Sequence, residues 1–142
     1  ATRKVKTKIS VGREPVSMAA FAGDSCLLIA NNLPEMPSTA YPIAVQLDMV
    51  DVLSKKVSGR IMFPNGSTDV KSVAVDKNHT FAYVTHLISR YQLPTNQLDR
   101  GWMATNTLSI IDLKDKKVAD FRHSGYSAER SGQSVVGHCY SG

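Results

Sequence analysis

Residues that usually carry chemistry are scarce in this 142-residue sequence. Its two cysteines, Cys26 and Cys139, form neither a CxxC pair nor a metal-ligand spacing, so no metal site is expected. Cys26 lies in an apolar run and reads as a small buried hydrophobe. There is no HExxH, no GxSxG, no P-loop and no GxGxxG opening a helix, so neither catalysis nor a cofactor is expected. No apolar run approaches the roughly 20 residues that span a bilayer. The chain starts at Ala1 without a charged-then-apolar signal segment, and either a removed leader or a fragment boundary is expected there. Net charge is +5, and a basic balance can attract nucleic acid or anionic surfaces. The sharpest basic cluster, Arg3, Lys4, Lys6 and Lys8, has no aromatic stacking platform interleaved with it, which argues against nucleic acid. Its alternation with Val5, Thr7 and Ile9 reads instead as one solvated strand face. With 42% hydrophobic and 20% charged residues, the composition is that of a folded domain rather than a disordered one.

What the sequence does contain is a repeat. Residues 12–33 align with residues 66–87 without a gap, at an offset of 66 − 12 = 54. Val16 then meets Val70, Ala20 meets Ala74, and the turn Gly23, Asp24 meets Lys77, Asn78. Each copy continues through a loop to a third apolar run. Leu47, Asp48, Met49, Val50, Asp51 and Val52 correspond to Leu108, Ser109, Ile110, Ile111, Asp112 and Leu113, an offset of 112 − 51 = 61. A polar turn follows in both copies, and then a fourth run, residues 57–63 in the first copy. Residues 5–11 are its counterpart ahead of the first repeat. Short runs rich in Val, Ile, Leu and aromatics between polar turns read as strands. No helical period is sustained over 11 or more residues. Four strands recurring at about 40–50 residues mark propeller blades, because a lone twisted blade leaves an apolar face that the next blade covers. The expected fold is therefore all-β: two four-stranded antiparallel propeller-type blades, an incomplete β-propeller. The repeat units lie near 12–63 and 66–121, with both blades inside residues 1–121.

The turn at Asp76, Lys77, Asn78 leads into Ala82, Tyr83, Val84, Thr85, and Leu108 to Leu113 follows; this sequence resembles the YVTN β-propeller repeat. The resemblance covers roughly residues 5–121. The long loop after Thr85 is similar to that of a subfamily of bacterial exported propellers, some linked to di-haem peroxidase-type domains. The resemblance implies a periplasmic or extracellular setting. The chain holds no CxxCH haem-attachment motif, so any haem partner would lie outside it.

Beyond Phe121 the strand pattern dissolves, and residues 122–142 are expected to form a poorly packed tail. Residues 131–141 can be back-translated so that a one-base shift encodes Ala-Gly-Asn-Pro-Trp-Ser-Gly-Ile-Ala-Ile-Ala. That peptide resembles Pro15, Val16, Ser17, Met18, Ala19, Ala20 and suggests a frameshift near Phe121.

Propeller loops at one rim are where binding residues concentrate, since a rigid scaffold positions them. Here those loops are 34–43 and 87–106, with the links 12–15 and 64–69. The candidate binding residues are His86, Arg90, Tyr91, Gln92, Arg100 and Trp102, because Arg beside Tyr and Trp is a hot-spot composition. The competing reading is that the apolar residues of the loop fold onto the blade edge. His86 has no carboxylate or second histidine at ligand spacing, which favours a structural role. Asp51 and Asp112 precede equivalent turns and are expected to fix them through backbone amides. Asn65-Gly66-Ser67 and Asn78-His79-Thr80 are formal glycosylation sequons that coincide with turns. The expected function is a non-catalytic binding or scaffold module. Its partner is another protein or a copy of itself, met through open blade faces, with no nucleic acid and no membrane span. The alternatives are a redox protein with a rim site in the 87–106 loop, and a truncated relic without activity of its own.

Overall fold

A computed structural model describes residues 4–91 and 104–123. Gln92, Arg100, Trp102 and the tail 124–142 lie outside the described residues. Eight strands follow in order: β1 (Arg13–Phe21), β2 (Cys26–Leu33), β3 (Gln46–Asp51), β4 (Lys56–Met62), β5 (Ser67–Val75), β6 (Phe81–Ser89), β7 (Ala104–Asp112) and β8 (Lys117–His123). They form two four-stranded antiparallel sheets, β1-β2-β3-β4 and β5-β6-β7-β8. Residues 5–11, expected as a strand, have no strand conformation. A strand needs a neighbour to satisfy its backbone groups, and the described residues offer this stretch none.

The turns that close the hairpins explain why the strands stop where they do. Asp51 Oδ1 accepts the amides of Leu53 and Ser54 at 2.8 and 3.3 Å. Asp112 Oδ1 accepts those of Lys114 and Asp115 at 2.8 and 3.1 Å. The last residue of each turn, Lys55 or Lys116, sits at positive φ. A short carboxylate that mimics a backbone acceptor stabilises such a turn. Asp76 does the same for the β5–β6 turn, taking the amides of Thr80 and Phe81 at 2.7 and 2.9 Å.

Backbone geometry corrects the repeat register. Positive φ recurs at Glu14 and Asp69 (69 − 14 = 55) and at Asp24 and His79 (79 − 24 = 55). Cys26 pairs with Asp51 just as Phe81 pairs with Asp112. The first two strands therefore repeat at 55 rather than 54, while the third and fourth repeat at 61. A slip of one residue moves every side chain to the other face of a strand. Leu28 thus corresponds to Tyr83, not to Ala82, and Asn31 corresponds to His86.

With that register the core follows. From the first sheet Leu28, Ala30, Leu47, Met49 and Ile61 face inward; from the second Val70, Val73, Ala82, Val84 and Ile111 meet them. The sheets touch mainly through β5, which packs on β1 and β2. Ser17 Oγ accepts the Val73 amide across the gap at 3.2 Å. One face of each sheet carries this core, and β3 departs from alternation, with Gln46, Leu47, Asp48, Met49 and Val50 all buried.

Candidate functional site

One end of the two sheets gathers the connecting segments. The Gly66 amide donates to Ile43 O at 2.7 Å, and the Ser89 amide donates to Gly66 O at 2.8 Å. Asn65 Oδ1 accepts both the Ile43 amide and the Tyr91 hydroxyl, each at 2.9 Å. Gly66 has φ +87, and any Cβ there would run into the Ser89 carbonyl, so the crossing needs glycine. The 34–43 loop, the 64–66 link and the start of the 87–106 loop therefore meet at one rim.

The sequence-proposed site residues divide. Arg90 and Tyr91 are exposed at this rim. His86 is turned inward and is only 3% exposed. Its Nδ1 lies 3.1 Å from Leu87 O, and since a carbonyl only accepts, Nδ1 carries the proton. In the neutral ring Nε2 then accepts from Ser109 Oγ at 2.8 Å. The Phe63 ring meets the imidazole edge-on, with centroids 5.0 Å apart. His86 is thus a packing and hydrogen-bonding residue between the sheets that also borders a cavity beside Thr85 and Asn106.

A second polar cluster escaped the sequence reading. Asp48, fully buried, accepts the Gly12 amide at 2.6 Å and Asn31 Nδ2 at 3.1 Å. Its other oxygen lies 3.0 Å from Arg60 Nε, and Arg60 also reaches Glu35 at 3.1 Å. In the corrected register Asn31 and Asp48 occupy the places of His86 and Ser109. The cluster anchors the chain's entry into β1, since a Cβ on Gly12 would collide with Asn31. An aspartate inside the apolar run Leu47, Asp48, Met49, Val50 was the signal, because a carboxylate enters such a face only with partners.

An open cavity of about 560 Å³ lies on the outward face of the second sheet, lined among others by Lys71, Thr85, Leu87, Asn106, Leu108 and Arg122. Its cations are already paired: Lys71 with Asp69 at 2.5 Å and Arg122 with Asp120 at 3.1 Å. Among the described residues no group of three or more His, Cys, Asp or Glu is placed to hold a metal ion. No helix among them is long and apolar enough to cross a membrane.

The two outward faces are better understood beside the covered ones. Leu28, fully buried against the second sheet, has Tyr83 as its equivalent, which is 38% exposed. Val73, 6% exposed between the sheets, has Met18 as its equivalent, which is 69% exposed. Fully buried Ala30 corresponds to exposed Thr85, and Ile61 to exposed Arg122.

No family model matches the sequence, and no curated protein does. Among solved structures the chain is similar to Kuenenia stuttgartiensis hydrazine synthase, a β-propeller-containing protein, at 20% sequence identity and a TM-score of 0.62. The match covers 74% of this chain and 28% of that one, so the chain spans little more than a quarter of the relative's length. At that identity the likeness speaks to fold alone, and the chain is an all-β protein whose two four-stranded antiparallel sheets are the blades of an incomplete propeller.

Proposed function

We propose that the chain is a non-catalytic binding or scaffold module of YVTN-like propeller blades that works through its two outer blade faces. The observation that supports this is the exposure of Met18 and Tyr83 at positions whose equivalents, Val73 and Leu28, are core residues. An apolar side chain left outward on a repeat that elsewhere buries it marks a surface built to be covered. The inward placement of His86 takes the best acid–base candidate out of the rim. The rim keeps Arg90 and Tyr91 as a second contact surface, with Tyr91 held by Asn65. A periplasmic or extracellular setting belongs to the same proposal and rests on the resemblance to exported propellers.

Titration with the apolar dye ANS tests the reading on dilute protein. Saturable fluorescence is expected, reduced in Met18→Lys and in Tyr83→Lys. A signal indifferent to both substitutions would overturn it.

A further inference from the structure

The geometry points to one mate for these faces: a second copy of this chain, seated head to tail, so that the outer face of its first blade covers the outer face of the second blade. This rests on the reading of the outer faces as binding surfaces and adds the partner and the register. Within the chain, the side of the first blade bearing Ala19, Leu28, Leu47 and Ile61 meets the side of the second bearing Val73, Ala82, Val84 and Ile111. Repeating that step carries the same two kinds of surface onward. The equivalents of the first set are Ala74, Tyr83, Leu108 and Arg122, on the outer face of the second blade. The equivalents of the second set are Met18, Leu27 and Ile29, of which Met18 is 69% exposed, together with Val50, which is only 1% exposed on the outer side of the first blade. Each outer face is therefore the rotational counterpart of the surface that the other would dock on. A contact between unlike patches of this kind is heterologous, and it closes into a ring when the rotation allows. Propellers close at about 4–8 blades, which corresponds to about two to four copies.

The cavity beside Thr85, Asn106 and Arg122 is then the seat of a blade rather than a small-molecule site. Where the internal interface has Ala30 and Ile61, this one has Thr85 and Arg122, so it is more polar and weaker than the internal packing.

The test mixes two variants at matched concentration and reads mass by light scattering. Wild-type chains should associate beyond 15.5 kDa. Met18→Lys and Tyr83→Lys each spoil one face and should remain monomers alone. Mixed in equal amounts they should form a pair that stops at two chains, because each supplies the face the other lacks. Both residues are exposed, so neither change disturbs the core. If wild type associates and the mixture does not, the contact is symmetric and the head-to-tail inference is overturned. If wild type stays at 15.5 kDa yet binds ANS, the faces serve a different partner and the inference again falls. Loss of ANS binding as well would sink the binding-face reading itself.

Discussion

The two blades share one backbone and differ in what covers them. Leu28 and Tyr83 occupy the same place in β2 and β6, yet one is sealed and the other is 38% exposed. Val73 and Met18 reverse the relation between β5 and β1, at 6% and 69%. At these two pairs of positions burial is set by the neighbouring sheet, whereas Val50 and its equivalent Ile111 are sealed in both blades. Positions that the neighbour covers hold aliphatic residues, whereas outward equivalents hold Thr85, Asn106 and Arg122 among Tyr83, Leu108 and Ile110. A mixed surface of this kind presents less contiguous apolar area than the internal interface.

Truncation at equivalent positions should separate the two blades by the largest margin. Leu28→Ala should cost about 2–5 kcal/mol, the transfer and cavity terms together. Tyr83→Ala in dilute protein should cost under about 1 kcal/mol, as expected of an outward position. Urea unfolding followed by circular dichroism gives both values, and equal costs would mean that the blades are not distinguished by cover.

The polar pairs behind the core extend the comparison. Asp48→Ala removes the acceptor for the Gly12 amide and Asn31 and the ion-pair partner of Arg60, and should cost about 1–3 kcal/mol. Ser109→Ala deletes only the partner of His86 Nε2 and should cost less, since neutral hydrogen bonds are worth about half of charged ones. At the rim, Tyr91→Phe loses the bond to Asn65 at an exposed site and should cost no more than about 1 kcal/mol. Faster amide exchange at Ile43 in that variant would mark the loosened rim.

The smallest effect is in acid. The amides of Leu53 and Ser54 hold the Asp51 carboxyl below its usual range, and the Phe81 amide does the same most strongly for Asp76. Both pKa values lie below the ordinary 3.8. A carboxylate with a depressed folded pKa lends stability above its unfolded value and loses it as pH falls through the folded one. Stability should therefore drop slightly below pH 3.8, and the drop should shrink in Asp51→Asn and Asp76→Asn. Thermal melts between neutral and strongly acidic pH resolve the difference.

Much of the architecture was legible because strand period and turn chemistry are local. Apolar runs between Asp-, Gly- and Lys-bearing turns placed four strands in each copy, although β8 runs to His123, past the expected break at Phe121, and the recurring aspartates Asp51 and Asp112 do fix their turns. The register between copies was not legible to the last residue. Ile29 is apolar and so are both Tyr83 and Val84, so composition fits either alignment, and only the positive-φ positions Glu14, Asp24, Asp69 and His79 decide. Residues 5–11 alternate as a strand should, yet pairing depends on a neighbour that alternation cannot report. His86 could be placed at a strand end from sequence, but which face it takes depends on that same one-residue step. The Asp48 cluster joins Gly12, Asn31 and Arg60 from separate strands and connections, a juxtaposition that exists only once the sheet has formed.

The most direct test of the claim that each outer face is the mate of the other is the melting temperature of wild type and Tyr83→Lys as protein concentration is raised. Association of folded chains stabilises them by mass action. The wild-type melting temperature should climb with concentration, and the Tyr83→Lys value should not. A wild-type value independent of concentration, or a climb that Tyr83→Lys shares in full, would contradict it.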